Sequence, residues 1–265
     1  ESQVHRNLYI YDNVFEKVGG YFGLEIINVV NDSPRVDGYP GLNVFDNQFF
    51  GIPALSFIQS SGTNSHLYNN YFDNTSMSIE TASTYGTNVY GNHMVNVRGQ
   101  ALSDGGNTWG GTALPEKQAF IHHNHVEMTQ DGYAYFYGGG TSKIYENYFK
   151  GRVIMRPQSA NSQLKVGEFH HNTIVCNNNS TALLVQSDIA GDLIEGNIHD
   201  NEVYHTRNTT SDKGIVGSKV TNAVKFTNNK VMMTNASATC VDTTGTESNN
   251  VCHLGYSGPV PEFRP

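Results

Sequence analysis

Along most of this chain apolar and polar residues alternate in short runs, the two-residue period of strands that bury one face. The runs fall into a repeat when aligned on one asparagine. LYIYDNVF surrounds Asn13, NVFDNQFF Asn47, HLYNNYF Asn70 and NVYGNHMV Asn92. FIHHNHV at Asn124, KIYENYF at Asn147, EFHHNTI at Asn172, NIHDNEV at Asn201 and VKFTNNKV at Asn229 continue the series, which fades at SNNVC near Asn250. The shared pattern is apolar, two variable residues, Asn, one variable residue, apolar, at intervals of 21 to 34 residues. Asn suits a bend between two strands, because it tolerates the left-handed backbone region and its amide can bond to the Asn one coil away.

Each interval holds a second short apolar segment: FGLEIINV, PALSFIQS, SMSIETA, QALSDGG, YAYFYGG, RVIMRPQ, ALLVQSD, GIVGS and ATCVDTT. These are expected to form the first strand of each coil, with the Asn-containing pair supplying the second and third. Stacking such coils pairs every backbone group with the coil above and below. The expected fold is all-β: a right-handed, single-stranded parallel β-helix of about ten coils with an Asn ladder, one domain over residues 1–265. Neither terminal segment looks like a capping helix, so the expectation is that either a partner chain covers the ends or the chain is a fragment of a longer one. Long loops are expected at 28–41 and 104–118. A helical repeat array is disfavoured by the Asn, Gly and β-branched content.

With this repeat the chain resembles the right-handed β-helices of the pectate-lyase-like superfamily, shared by polysaccharide lyases, polygalacturonase-like hydrolases and phage tailspikes. The resemblance spans essentially the whole chain and concerns the fold, which hosts several chemistries, so function has to be argued from a site. It implies an extracellular polysaccharide as the partner, and a homotrimer if the chain comes from a tailspike.

Composition narrows the partners. Charged residues are 15% and hydrophobic ones 37%, with 27 glycines, so amides and hydroxyls carry the polarity. A net charge of -8, with no basic stripe, argues against nucleic acid. No apolar run is long enough to span a membrane as a helix. Three cysteines are too few for a disulfide scaffold. Cys240 and Cys252 can pair if the protein is extracellular, and Cys176 reads as a buried free thiol. Six N-x-S/T sequons occur; chance alone gives about as many in so Asn-rich a chain.

Strand alternation names candidates on the outer face of the first strands. Met77 and Ile79 are expected inside, with Ser78 and Glu80 outside. Ala134 and Phe136 are expected inside, with Tyr133, Tyr135 and Tyr137 outside. Val153 and Met155 are expected inside, with Ile154 and Arg156 exposed. Glu25, Gln186 and Asp242 are placed outside by the same rule. Tyr137 and Arg156 should then be neighbours, with Gln186 one coil on and Asp104 and Glu80 towards the N-terminal end. Trp109, the only tryptophan, lies in a Gly-rich loop beside this face, where its ring can stack on a sugar or pin the loop.

Cleavage of a uronate-containing polysaccharide by β-elimination is the leading expectation. Arg156 would neutralise the carboxyl and Tyr137 move the proton, with Trp109, Tyr135, Gln186 and Asp188 holding substrate. VIMRPQ echoes an Arg-containing strand of alginate lyase and chondroitinase B relatives, and RP…VGEFHHN a pectate-lyase segment. The motifs around those segments are missing, and no Lys occupies the preceding strand where the first family has its base. A glycoside hydrolase or tailspike depolymerase would use paired carboxylates, Glu80 and Asp104, with Asp131 and Asp188 in reserve. The third reading is a glycan-binding adhesin or fibre without catalysis. Ca2+ would suit oxygen ligands such as these acids, but no ligand set is identifiable.

The histidine pairs His122-His123 and His170-His171 occupy the variable slots before the ladder Asn, where other coils carry YD, FD, YN, YG, YE and HD. The residue next to the Asn is expected in a mixed polar column on the second strand. Two coils apart, about 10 Å, the pairs are too distant to share one ion.

Overall fold

A computed structural model of the chain describes residues 8–16, 24–28, 43–51, 55–59, 65–82, 86–105, 119–136, 142–156, 164–186 and 194–263. The coil that starts with strand Met77–Ala82 continues through Thr87–Tyr90 and His93–Val97; the next repeats it with Gln100–Gly105, Ala119–His122 and His125–Met128. Corresponding strands pair in parallel, coil on coil, into three sheets of nine, ten and ten strands among the described residues. The first sheet runs from Leu24–Asn28 to Thr239–Thr243, the second from Tyr9–Tyr11 to Thr246–Ser248, and the third from Val14–Glu16 to Val251–Leu254. The architecture is a right-handed parallel β-helix with an Asn ladder, consistent with the pectate-lyase-like superfamily.

Alternation fills the interior. On the second sheet Leu67, Val89, Ile121, Ile144, Phe169, Ile198 and Phe226 form a fully buried column, and on the third Phe49, Phe72, Met94, Val126 and Phe149 form another. Phe15, Phe49 and Phe72 stack with centroids 4.7 Å apart, the strand spacing itself.

The bend between the second and third strands is built differently from the sequence expectation. The left-handed residue is the one before the ladder Asn: Asp12, Asp46, Asn69, Gly91, His123, Glu146, His171, Asp200, Asn228 and Asn249, with φ between 54° and 64°. His123 and His171 are therefore turn residues, not members of a strand column. The Asn following each is buried along most of the ladder and takes over the bonds the bend leaves open. Asn92 Nδ2 donates to Asn124 Oδ1 at 2.9 Å and to the Leu67 and Tyr90 carbonyls. Its backbone N donates to the same Oδ1 at 3.1 Å. The ladder does not fade at its end: Asn250 Oδ1 accepts from both Asn229 N and Asn229 Nδ2.

Two outward placements also differ. Ser78 is fully buried and bonds Thr75, while Met77 is partly exposed, because the inward run here is Ile79 and Thr81 and the strand enters the coil through a side-chain-bonded turn. Ile154 faces outward in register between Tyr135 and Leu184 but is only 9% exposed.

Two devices close the C-terminal end. Cys240 and Cys252 form a disulfide that ties the last strand of the first sheet to the last of the third, and Cys176 is a buried free thiol. Beyond the last strand the chain folds back over the third sheet. Tyr256 packs on Tyr204, Val260 joins Val175, Tyr204 and Met232, and Tyr148 donates to the Pro261 carbonyl at 3.1 Å. Phe263 lies edge-on against His125 at 4.0 Å. Burial, with Glu127 and Glu262 adding to it, pushes the Tyr148 hydroxyl up to about 12, so it stays protonated as the donor.

Replacing a mid-ladder Asn strands several buried groups at once. Asn147→Ala takes the side-chain acceptor from Asn124 N and the side-chain donor from the Ile121 and Tyr145 carbonyls. At about 1–3 kcal/mol for each unsatisfied group, it should lower the urea midpoint far more than Asn250→Ala at the half-buried end. Equal midpoint shifts for the two variants would refute the ladder as the main bond network of the bend.

Candidate functional site

The three outer faces differ in what they leave open to a ligand. The third sheet is covered by the C-terminal segment from Met232 to His125. On the second sheet Tyr11, Phe45, Tyr68, Tyr90, His122, Tyr145, His170 and His199 form one column of stacked rings, at centroid spacings of 4.8 to 5.2 Å. Their faces are spent on each other, so only ring edges are available. The first sheet has the most varied chemistry.

The register of the first sheet fixes which residues share a row. One row reads Glu25, Ser56, Glu80, Ser103, Tyr135, Ile154, Leu184, Val216, Asp242. Two residues earlier on their strands, Tyr133 pairs with Arg152. Two residues later, Arg156 donates its backbone N to the Phe136 carbonyl at 2.9 Å, which carries the ladder one step past the strand; Gln186 pairs with Ser218. Ala134, Phe136, Val153 and Met155 point inward and are buried, as alternation required. Tyr133, Tyr135 and Arg156 are partly exposed, and the two tyrosine rings meet edge to face at 5.8 Å.

The sequence candidates separate accordingly. Tyr135, Arg156, Gln186 and Glu80 all sit on this sheet and are partly exposed. Glu80 pairs with Ser103; Asp104 pairs with Thr81 and Phe136, whose side chains are both buried. The two acids are thus on successive coils but one residue out of step. Asp131 is an exposed turn residue just before the Tyr133 strand. Tyr137, Trp109 and Asp188 lie outside the described residues, as do nearly all of the 28–41 and 104–118 segments. Among the described residues, no three or more His, Cys, Asp or Glu side chains gather to hold a metal ion.

Two features of the face were not singled out from the sequence. Arg152 stands beside Tyr133, half-buried, with its Nε lacking a hydrogen-bond partner among the described residues; burial disfavours its charge. The alternation that picked Arg156 reaches Arg152 two pairs of steps back on the same strand. Ser103 lies between Glu80 and Tyr135, fully buried, and its hydroxyl also lacks a partner among the described residues. A sequence gives no signal for that, since the burial of an outward position depends on what folds over it. A Tyr/Arg centre can hold a carboxylate by charge and present a phenol to a proton beside it.

A second concentration of buried polar groups lies where the third strands turn into the first. His205 is in register with Cys176, and both are fully buried. His205 Nδ1 is 3.9 Å from Asp212 Oδ2, an oxygen that also accepts from Thr209 N at 2.9 Å, and Arg207 Nε is 3.7 Å from Asp212 Oδ1. Burial holds the imidazole below its ordinary value despite Asp212, and burial raises the Cys176 thiol, which keeps it a poor nucleophile.

No family model, no curated protein and no solved structure matches this chain.

The lowered His205 value has a definite sign. Below about pH 6.5 the unfolded chain takes up a proton at this position that the folded chain refuses, so the contribution is intact above that pH and is lost as pH falls. His205→Met copies Met233, the register partner on the next coil. Denaturation midpoints measured between about pH 7.5 and 5.5 should fall less steeply for this variant than for the parent. Parallel curves would show that His205 takes up its proton equally in the folded and the unfolded chain, and would refute the effect of its burial.

Proposed function

We propose that this β-helix binds an extracellular polysaccharide along the outer face of its first sheet and cleaves it there, with a uronate-containing chain as substrate and β-elimination as the reaction. The observation that carries this reading is the juxtaposition of Tyr133 and Tyr135 with Arg152 and Arg156 on adjacent strands, about 4.8 Å apart. A uronate carboxyl placed against Arg156 has its charge offset where the enolate develops, which lowers the barrier to removing the neighbouring proton. Tyr135, on the strand paired with that of Arg152, or Tyr137 would move that proton. Gln186, one coil beyond Arg156, and Glu80, two coils before Tyr135, would bind sugar hydroxyls along the chain, as would Trp109 and Asp188.

A paired-carboxylate hydrolysis is less well supported, because Ser103 rather than Asp104 pairs with Glu80. The Cys240–Cys252 disulfide fits an oxidising compartment and so an extracellular place of action.

A panel of uronate-containing and neutral polysaccharides separates the outcomes. Elimination generates an unsaturated uronate absorbing in the ultraviolet together with new reducing ends, hydrolysis gives reducing ends alone, and a binding module gives neither. On a cleaved uronate polymer, Arg156→Ala should reduce kcat/KM by about 100-fold or more. Full activity in that variant would refute the Tyr/Arg site.

A further inference from the structure

The bend that carries the Asn ladder twice places two histidines side by side, and both times the result is the same. His122 Nδ1 and His123 Nδ1 are 2.9 Å apart, with rings at 85°. His170 Nδ1 and His171 Nδ1 are 2.8 Å apart, also with rings at 85°. The agreement follows from the repeat. The first His of each pair is clamped in the ring column, His122 between Tyr90 and Tyr145, His170 between Tyr145 and His199. The second is fixed by its left-handed backbone, φ 54° in both pairs.

The nitrogens converge on solvent. His123 Nε2 lies 3.1 Å from Glu146 Oε2, one coil on, so this nitrogen carries the proton and donates it. His123 Nδ1 is then a lone pair, and His122 Nδ1–H is its donor. A carboxylate on the far nitrogen is the arrangement that orients a metal-binding imidazole and raises its basicity.

We propose that each histidine pair chelates one divalent transition-metal ion, copper(II) or nickel(II), through its two Nδ1 atoms. Two imidazole donors, held near this separation once the hydrogen bond between them is broken, select the ion. With metal–nitrogen bonds of about 2.0–2.1 Å, nitrogens 2.8–2.9 Å apart subtend about 90° at the metal, the angle of adjacent positions in a square-planar or tetragonal ion. A tetrahedral zinc ion would need the nitrogens about 3.3 Å apart. Binding moves the His122 proton from Nδ1 to Nε2 and turns the exposed His123 ring until both lone pairs meet at the ion. The remaining positions are left to water or to an exogenous ligand, since the protein supplies two donors per ion. The two sites are separate, two coils apart, with Tyr145 and Glu146 between them.

His123→Asn and His171→Asn are suitable variants, because Asn69, Asn228 and Asn249 occupy the same left-handed slot in other coils. The full chain is titrated calorimetrically with copper(II), nickel(II) and zinc(II) in a non-coordinating buffer, and the copper form is examined by electron paramagnetic resonance. The parent should take up two equivalents of copper(II) that the double variant does not, each single variant should lose one, and the spectrum should be axial with coupling to two nitrogens per ion. Nickel(II) should bind these sites more tightly than zinc(II). Equal copper stoichiometry in the parent and a folded double variant would overturn the proposal. So would coupling to a single nitrogen, or zinc(II) binding the pairs as tightly as nickel(II).

Discussion

At every coil the chain reverses through a residue held near φ 55°, and the asparagine after it bonds backbone and side chain to the asparagine of the next coil. A left-handed residue is costly for most side chains, and a sharp bend would otherwise leave amides and carbonyls unpaired inside the protein. The buried amide resolves both problems: it supplies the missing bonds and registers each coil on its neighbour. Once that register is set, inward residues stack on inward residues and outward ones on outward ones along the whole solenoid. The phenylalanine column inside and the ring column outside are two expressions of one spacing.

The same constraint separates what the fold needs from what it leaves free. The Asn and the inward residues are held to type, while the position before the Asn accepts Asp, Asn, Gly, His or Glu without disturbing the bend. Functional chemistry accumulates in such tolerant slots. The paired imidazoles of the second sheet and the Tyr/Arg centre of the first arise in the same way, as variable positions brought side by side by a scaffold indifferent to them.

Much of the fold was legible because the repeat is written in residue types that physics restricts. Alternation placed Ala134, Phe136, Val153 and Met155 inside, and the asparagines marked the bends. The errors have local causes. Asn at a bend suggests the left-handed residue itself, since Asn is enriched there, but its task needs a buried amide and the left-handed burden falls on its predecessor. Alternation puts Ser78 outside, but the turn bonded through Thr75 does not obey it. The candidate site was less legible than the fold. Tyr135 and Arg156 could be ordered by coil, but a one-residue offset such as that between Glu80 and Asp104 depends on how each strand enters its coil. The burial of Ser103 and Ile154 depends on coverage that no periodicity records.

A solenoid held only by contacts between successive coils behaves like a zipper, able to open from either end one tooth at a time. The segment from Tyr256 to Phe263 breaks that locality: it starts at the last coil and touches Tyr204, Tyr148 and His125, which belong to coils progressively further back. Opening the final coil therefore also peels a strip from the middle of the stack. Fraying at this end is converted into a concerted event spanning several coils, so the C-terminal half should melt as a block while the N-terminal coils retain the gradual, tooth-by-tooth behaviour of a simple array.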